Sequence, residues 1–436
     1  MNARKTSRIF SIVLAFAAFT FSLAIRAQAQ APLYNFPGGW IGGLPQSTLT
    51  LDPSGNLYGT TFIGGGNPGV CDQPGSSCGT VFKLSQSSGG NWTETVLRGF
   101  TGGTRGGKLV KGLARDAAGN LYGTTSDGGD LTSCTSDSYL GTGCGVVFEL
   151  SPTSSGQWAE TILHTFSGGT DGASPASNLI IDSAGNLYGT TYFGGNLSVC
   201  AKMGCGVAFR LSKTASGWHE TVLRSFDPKV DGFFANGLVQ DSAGNLYGTT
   251  YEVGGTTCGC GTVFRLAPTA SGPWTETVLY AFAGGTDGAS PEGGGVVLDA
   301  AGNLYGTTTL GGAHGSGTIY ELSPSSGGSW TETQLYNFTG GLDGKYPKSD
   351  LVFDAAGNLY GSTPYGGSTA FCNQGCGVIF ELSPSGTGTW TQSVLGTFEF
   401  TNGEQPNGVI IDSAGNLYGS AGGGTASDGV VYEIRQ

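Results

Sequence analysis

The chain has 436 residues, of which 81 are glycine and only 11% are charged, and its formal net charge is -12. So few charged residues exclude a typical disordered chain. The acidic balance and the lack of a basic stripe exclude a nucleic-acid-binding protein, which must neutralise phosphates. The glycines recur at fixed places beside Val, Ile, Leu, Phe and Tyr, so we expect a folded chain in which glycine marks the turns.

Residues 1–29 differ in composition from the rest. Three basic residues precede an apolar run over residues 9–25, and Ala27-Gln28-Ala29 is a small-x-small cleavage site. This order is typical of a secretory signal peptide cut before Gln30, whereas an uncleaved membrane anchor needs a longer apolar run. We therefore predict a signal peptide over residues 1–29 and a secreted mature chain (periplasmic, extracellular or surface-associated). Cleavage would remove these three basic residues and Arg26, so the net charge would change from -12 to -16, and we predict no transmembrane segment in the mature chain.

Seven copies of Asp-x-x-Gly-Asn-Leu-Tyr-Gly, spaced 55 to 66 residues apart, organise the mature chain. They begin at Asp52, Asp116, Asp182, Asp241, Asp299, Asp354 and Asp412. Each copy lies in a unit of four short segments, a to d, that are rich in β-branched and aromatic residues and separated by turn residues. In the third unit, a is Leu179-Ile-Ile181, b begins at Asn186, c at Val207 and d at Trp218. Four strands repeated seven times predict an all-β fold, a single seven-bladed β-propeller over residues 30–436.

The final unit lacks a d segment of its own. It ends with its c segment, Val430-Val-Tyr-Glu-Ile434, shortly before the last residue. At the start of the mature chain, Leu33-Tyr-Asn-Phe36 matches the d segment Leu335-Tyr-Asn-Phe338. We predict that this N-terminal strand completes the last blade, because closure removes the unpaired edges of the ring.

Length variation is concentrated in the loops between b and c. The interval from the b-strand Tyr to the c-strand aromatic runs from 14 to 26 residues, whereas the a–b and c–d spacings are nearly constant. In an antiparallel meander the b–c and d–a loops share one face of the ring. Variable loops on a rigid scaffold usually carry binding, so we expect a ligand on the b–c/d–a face.

Ten cysteines fall as five local pairs inside b–c loops. The pairs are Cys71 with Cys78, Cys134 with Cys144, Cys200 with Cys205, Cys258 with Cys260, and Cys372 with Cys376. An even count, local pairing and an export signal predict disulfide bonds. The alternative, zinc binding, needs four ligands, and no second pair or histidine lies nearby in sequence.

Two acidic series invite a metal-binding interpretation. The repeated Asp-x-x-Gly-Asn has oxygen ligands that suit Ca²⁺, but its simpler interpretation is an Asp side chain that binds the amides of its own turn. A second series precedes Gly in the d–a loops: Asp171, Asp231, Asp287 and Asp343. These aspartates would either line the mouth of the channel and bind a cation or sugar hydroxyls, or form Asp-Gly turns. We predict no cofactor and no catalytic residue, and keep Ca²⁺ as an alternative.

Aromatic residues on the variable face are the candidate ligand-binding residues. They are Trp40, Phe62, Tyr192, Phe233, Tyr251 and Tyr365. Such rings stack on sugars or peptides, although burial against a neighbouring blade is the commoner fate. The three histidines, His164, His219 and His314, sit in different blades, so we expect surface or packing roles for them.

The repeat resembles a known family. The copies of Asp-x-x-Gly-Asn-Leu-Tyr-Gly-Thr-Thr, strands such as Gly145 to Pro152 (Gly-x-Val-Phe-Glu-Leu-Ser-Pro) and Trp92-Thr-Glu-Thr-Val-Leu97 are similar to the Gloeo/Verruco (GloVer) tandem repeat of exported bacterial proteins. The blades also look like those of NHL and gluconolactonase-like propellers. The second resemblance implies a metal-bound acidic and Asn set at the channel, whose positions cannot be matched residue by residue here.

Three functions are compatible with these features. We favour a secreted, non-catalytic propeller that binds a carbohydrate, peptide or surface protein partner through its b–c/d–a face, because the blades are nearly equal and no unique catalytic cluster is apparent. The alternative is an extracellular hydrolase, lyase or lactonase with acidic residues at the channel mouth. The third is a cell-envelope scaffold. Retention on a polysaccharide array without turnover would separate the first from the second.

Overall fold

A computed structural model describes residues 31–66, 78–109, 111–134, 142–175, 177–252, 258–270, 272–292, 295–386 and 388–436. The predicted signal peptide and Cys71 lie outside these residues. Within the described part of the chain, the strands form seven antiparallel sheets, which confirms the predicted all-β seven-bladed propeller. No helical segment in these ranges has the length and apolar composition that a bilayer crossing needs.

Each blade runs a, b, c, d from the ring axis outward. Blade one holds β2 (Thr50–Leu51), β3 (Leu57–Thr61), β4 (Thr80–Gln86) and β5 (Trp92–Gly99). Blade two holds β6 (Ala114–Arg115), β7 (Leu121–Thr125), β8 (Val146–Pro152) and β9 (Trp158–Thr165). Blade three holds β10 (Ala173–Pro175), β11 (Ile180–Ile181), β12 (Leu187–Phe193), β13 (Val207–Thr214) and β14 (Gly217–Ser225). Blade four holds β15 (Phe233–Gln240), β16 (Leu246–Glu252), β17 (Thr262–Ala267) and β18 (Thr275–Ala281).

The remaining blades repeat this order. Blade five holds β19 (Val296–Leu298), β20 (Leu304–Thr308), β21 (Thr318–Pro324) and β22 (Trp330–Asn337). Blade six holds β23 (Val352–Phe353), β24 (Leu359–Thr363), β25 (Val378–Pro384) and β26 (Trp390–Thr397). Blade seven holds β27 (Val409–Ile411), β28 (Leu417–Ala421), β29 (Val430–Ile434) and β1 (Ala31–Asn35). Short 3₁₀ turns lie at Gly103–Arg105, Cys200–Lys202, Gly285–Asp287 and Phe400–Asn402.

The N-terminal strand completes the last blade, as predicted. β1 pairs antiparallel with β29, with Ala31 opposite Glu433 and Asn35 opposite Val430. The next residue, Phe36, is fully buried, and its N–H donates to the carbonyl of Gly429 at 2.9 Å. The two ends of the chain therefore share one blade.

One segment of blade three was not predicted. The a segment, Leu179-Ile-Ile181, contains β11, but β10 also pairs with β12, with Ala173 opposite Phe193. The inner strand therefore begins earlier than Leu179-Ile-Ile181 indicates, because its first part is the buried d–a segment Ala-Ser-Pro, interrupted before β11. Ala and Pro are depleted in strands, which hid this part from a pattern search.

The repeated Asp is a turn cap in all seven copies. In the third, Asp182 Oδ1 accepts hydrogen bonds from the backbone N–H groups of Ala184 at 2.9 Å and Asn186 at 2.8 Å. Oδ2 accepts from Asn186 Nδ2 at 2.8 Å and from the Tyr188 hydroxyl at 3.0 Å. Burial raises the pKa of Asp182, but these hydrogen bonds, led by those from Asn186, outweigh it and hold the pKa below its usual value. The turn interpretation explains the motif without a bound ion.

The Gly and first Thr of Gly-Thr-Thr are required by packing. A Cβ placed on Gly189 of β12 would lie 2.7 Å from Cζ of Phe209 in β13, because that ring lies across the glycine. The hydroxyl of Thr190 donates to the carbonyl of Ala235 in blade four at 2.8 Å. The motif therefore fixes the packing inside a blade and the contact with the next blade.

A phenylalanine from strand d of each blade packs on the strand-c aromatic of the next. The pairs are Phe36–Phe82, Phe100–Phe148, Phe166–Phe209, Phe226–Phe264, Phe282–Tyr320, Phe338–Phe380 and Phe398–Tyr432. Their ring centroids lie 5.0 to 5.3 Å apart. The core is thus a set of seven similar blade–blade interfaces, one of which depends on the N-terminal strand.

The b–c and d–a loops lie on one face, as the meander requires. Isolated bridges join the two loop sets in five blades, as at Gly107 with Asp127 and Lys345 with Tyr365. Four predicted disulfides are formed within b–c loops: Cys134–Cys144, Cys200–Cys205, Cys258–Cys260 and Cys372–Cys376. The first predicted pair includes Cys71, which lies outside the described residues. The disulfides constrain the loops that vary most in length.

Candidate functional site

A cavity of about 420 Å³ lies on the ring axis where the d–a segments of all seven blades converge. We call it the funnel. Its wall includes the b–c residues Gly422, Gly423 and Ser427 of blade seven, so it belongs to the b–c/d–a face. The volume is in the range of small-molecule sites. The funnel lies on the face that the loop lengths favour.

Asp350 is the centre of a cross-channel hydrogen-bond network in the funnel. Its Oδ2 accepts from the Thr48 hydroxyl at 3.2 Å and from Asn178 Nδ2 at 3.3 Å. Asn178 Oδ1 in turn accepts the backbone N–H of Gly112 at 2.7 Å. These residues come from blades six, one, three and two, so the network joins parts of the chain that are far apart in sequence.

The network sits at one repeat position, the residue before the strand-a apolar run. Its seven occupants are Thr48, Gly112, Asn178, Gly237, Gly295, Asp350 and Gly408. Four glycines leave space at the axis, and the other three carry the side chains that meet there. The funnel is therefore chemically unsymmetrical although the blades are nearly equivalent.

Burial raises the pKa of Asp350, and the positive charge of Lys111 and the hydrogen bond from Thr48 offset this only in part. A raised folded-state pKa means that the folded protein holds the proton more tightly than the unfolded chain does. The stability that this proton contributes is fully present below the unfolded pKa of about 3.9 and is lost as pH rises through the folded pKa. An ionised Asp350 therefore destabilises the fold at neutral and alkaline pH.

We expect Asp350→Asn to raise the free energy of unfolding by about 0.5–2 kcal/mol at pH 8, because the amide keeps the hydrogen bonds without a buried charge. The gain should vanish near pH 3, where Asp350 is protonated. Urea unfolding at both pH values measures it. The control is Asp130→Asn: Asp130 is exposed, and hydrogen bonds led by Ser133 hold its pKa below the usual value, so no gain is expected. If Asp350→Asn were less stable than the wild type at pH 8, the conclusion that ionised Asp350 destabilises the fold would be wrong.

The rest of the funnel wall is polar and mixed in charge. It contains two lysines, Lys111 and Lys348, and two glutamates, Glu292 and Glu404, besides Asp350. Three serines hold equivalent positions before the axial residue: Ser47, Ser177 and Ser349. These serines have structural partners; Ser177 Oγ, for example, accepts the backbone N–H of Thr190 at 2.9 Å. Such a wall offers hydrogen-bond donors and acceptors, and its electrostatic potential is not dominated by charges of one sign.

Of the six predicted ligand-binding aromatics, Tyr192 lines the funnel. Its ring packs edge-on against Phe234 at 5.4 Å, which fixes its position on the wall. The structure does not bring the other five to the cavity. Trp40 is 72% exposed, while Phe62, Phe233, Tyr251 and Tyr365 are half-buried on the same face.

The predicted aspartate series lies at the blade boundaries and not in the funnel lining. Each carboxylate accepts the backbone N–H of the residue four positions earlier, as Asp343 does from Thr339 at 2.8 Å. Three also accept a hydrogen bond from a strand-d residue: Asp231 from Arg224, Asp287 from Tyr280, and Asp343 from Tyr336. The fourth, Asp171, lies beside His164. The Asp-Gly turn explains their position in the repeat.

Of the three histidines, His164 has charged neighbours. Its Nε2 lies 3.5 Å from Asp171 Oδ2 and 3.8 Å from Glu220 Oε2 of the next blade. Its ring also packs edge-on against Phe166 at 4.7 Å. His219 and His314 are exposed. Sequence reasoning kept His164 apart from any cluster because Glu220 belongs to another blade.

Sequence reasoning also missed Asp350 and Lys111. One signal was available, because the position before the strand-a run changes residue type while its neighbours repeat. That comparison would have singled out Thr48, Asn178 and Asp350. It would not have shown that they meet, since this depends on closure of the ring.

Comparison with known proteins gives a family. No curated protein matches the chain. Matching solved structures include a proposed oxidoreductase (glucose dehydrogenase) from Thermus thermophilus, at 14% identity and a TM-score of 0.39, over 90% of this chain and 98% of that one. A model of the Gloeobacter/Verrucomicrobia repeat matches residues 19–198, 69–299 and 255–436. Since these matches together span nearly all of the propeller, the chain belongs to the Gloeobacter/Verrucomicrobia repeat family.

Proposed function

We propose that this protein is an exported, non-catalytic propeller that binds a neutral carbohydrate in the funnel. The observation that carries the proposal is the network at Asp350, where polar side chains from several blades converge in a cavity of about 420 Å³. A propeller built only as a scaffold has no need of unlike side chains at one axial position.

The wall favours a polyhydroxyl ligand over a charged one. Lys111 and Lys348 line a cavity that also contains three carboxylates. Because charges of both signs line the wall, its electrostatic potential does not strongly favour an anion or a cation. Sugar hydroxyls both donate and accept, which suits carboxylate, amide and hydroxyl groups side by side. Tyr192 supplies an aromatic face, of the kind on which a sugar ring stacks.

Export is part of the proposal. It rests on the predicted signal peptide and on disulfides in four b–c loops, because disulfides persist in oxidising compartments outside the cytosol. The proposed location of the protein is the periplasm, the cell surface or the medium.

The test is an array of polysaccharides and oligosaccharides probed with the mature protein, followed by calorimetry on any glycan retained. We expect retention without release of new reducing ends. Asp350→Asn should weaken binding about 10- to 100-fold, because a hydrogen bond to a charged group contributes about 1.5–3 kcal/mol. Asp130→Asn, on the same face but outside the funnel, should bind like the wild type. Absence of binding to every glycan, or equal binding by Asp350→Asn, would overturn the proposal.

A second candidate is an extracellular enzyme acting on a similar substrate. The specific observation in its favour is Asp350 itself, since a cavity carboxyl whose pKa is raised by burial suits a general acid. Lys111 would then stabilise its ionised form. Turnover of an array glycan that is lost in Asp350→Asn would establish this function in place of the first.

A further inference from the structure

The outer boundary between neighbouring blades contains a repeated charge arrangement. A strand-d residue of one blade faces the Glu of Trp-x-Glu in strand d of the next. Where that residue is arginine it forms an ion pair, as between Arg98 and Glu160 at 2.6 Å. At the boundary of blades seven and one it is Tyr34, whose hydroxyl donates a hydrogen bond to Glu94 at 2.8 Å. In these boundaries the chain itself supplies a cation or a proton to the buried carboxylate.

The boundary between blades two and three differs from this pattern. Its strand-d residue is His164, and one ligand atom each from His164, Asp171 and Glu220 lies within 4.8 Å of the other two. The group brings two carboxylates to one imidazole nitrogen, in a place where other boundaries use arginine. At the boundary of blades three and four, Asp231 and Glu276 hold the positions of Asp171 and Glu220, and Arg224 lies between them in the position of His164.

The group also contains polar atoms that lack partners. The side chain of Glu220 is only 10% exposed, and its Oε1 makes no hydrogen bond among the described residues. His164 Nε2 is likewise buried without a hydrogen bond to the described part of the chain, although it points between two carboxylates. The Oε1 atoms of Glu94, Glu160, Glu276 and Glu332 also lack partners within the described ranges, so the atom that distinguishes this boundary is His164 Nε2. Buried polar atoms normally have partners, and this nitrogen therefore indicates a missing ligand between the two carboxylates.

We propose that His164, Asp171 and Glu220 form a zinc site that joins blades two and three. Imidazole nitrogen and carboxylate oxygen are both Zn²⁺ ligands, and three of them leave a fourth tetrahedral position for water. His164 Nε2 lies 3.5 Å from Asp171 Oδ2 and 3.8 Å from Glu220 Oε2. In a tetrahedral site with metal–ligand bonds of about 2.1 Å, two ligand atoms lie roughly 3.4 Å apart, so both distances are close to that geometry. A nitrogen ligand favours Zn²⁺ over Ca²⁺, which prefers oxygen.

Neighbouring residues hold these ligands in place. The backbone N–H of Ser167 donates to Asp171 Oδ2 at 2.8 Å, and the Ser167 hydroxyl donates to Oδ1 at 2.5 Å. Phe166 packs against the imidazole of His164. Such support orients metal ligands before the ion binds. In this position Zn²⁺ would replace the guanidinium groups that hold the equivalent boundaries together.

The proposal is tested by calorimetric titration of Zn²⁺ into chelator-treated mature protein, with thermal unfolding as a second readout. We expect one ion per chain and a rise in the unfolding temperature that saturates at one equivalent. His164→Arg, which copies Arg98 and Arg224, should stay folded but bind Zn²⁺ at least about 100-fold more weakly. His219→Arg removes an exposed histidine one residue from Glu220 and should bind like the wild type.

Glu220→Gln gives an independent check, because it keeps the size of the side chain and removes a ligand charge. It should also lose the zinc-dependent rise in unfolding temperature. The proposal is overturned if the wild type binds no Zn²⁺ at one equivalent, or if His164→Arg and Glu220→Gln both bind as tightly as the wild type.

Discussion

Phe36→Ala should lower the free energy of unfolding by about 3–5 kcal/mol, the usual cost of truncating a fully buried phenylalanine. Phe36 has no exposed surface, and its ring packs on Phe82 of blade one at 5.0 Å. It follows directly after β1, which pairs with β29, so the substitution weakens the contact that closes the ring. Denaturant unfolding followed by tryptophan fluorescence measures the change.

Phe338→Ala is the matched control for this experiment. Phe338 is fully buried in the same repeat position and packs on Phe380 at 5.3 Å, but it lies in the middle of the chain. We expect a similar loss of stability in both variants. Faster amide exchange at Val430–Ile434 is expected only for Phe36→Ala, because a terminal strand detaches without unfolding other blades. Equal exchange at β29 in the two variants would contradict a closing role for β1.

Gly189→Ala should lower the free energy of unfolding by about 1–3 kcal/mol, the range for overpacking a core. The added methyl group would lie 2.7 Å from Cζ of Phe209 and 2.9 Å from Cδ2 of Leu179, closer than van der Waals contact permits. The cost comes from packing rather than from backbone conformation. The change in the urea midpoint at constant slope measures it.

Two further variants distinguish packing from a general intolerance of alanine. Gly386 lies in an exposed c–d turn with no atom near its added methyl group, so Gly386→Ala should change the stability by less than about 0.5 kcal/mol. Phe209→Leu shortens the side chain that blocks Gly189. In the double variant the Gly189→Ala cost should therefore be smaller than in the wild type. Additive costs would show that the ring over Gly189 is not the cause.

The fold was predictable because each blade is specified by contacts close in sequence. Asp182 and Tyr188 are six residues apart and hydrogen-bonded, so the repeated Asp, Gly, Asn and Tyr already describe the a–b turn. The d strand of the last blade was predictable for another reason. Residues 33–36 repeat a recognisable d segment, and a propeller without it would leave the outer edge of β29 unpaired.

The candidate site was less predictable because its contacts cross the ring. Asp350 meets Thr48, 302 residues away, and Asn178, 172 residues away, and no local pattern encodes these distances. The aspartates from Asp171 to Asp343 share a d–a loop with the funnel residues but precede them, so they lie farther out. Residue type identified possible ligands, whereas the position along the d–a segment decided which of them reach the axis.

The pairing of β1 with β29 has a consequence for biosynthesis. β1 precedes and β29 follows every other strand of the ring, so the ribosome makes β1 before all of them and β29 after them. Blades one to six can form as their own strands become available, but blade seven must wait until β29 has been made. Until then β1 has no strand to pair with, a condition that favours aggregation. We therefore expect the capture of β1 by β29 to be the last step in closing the ring.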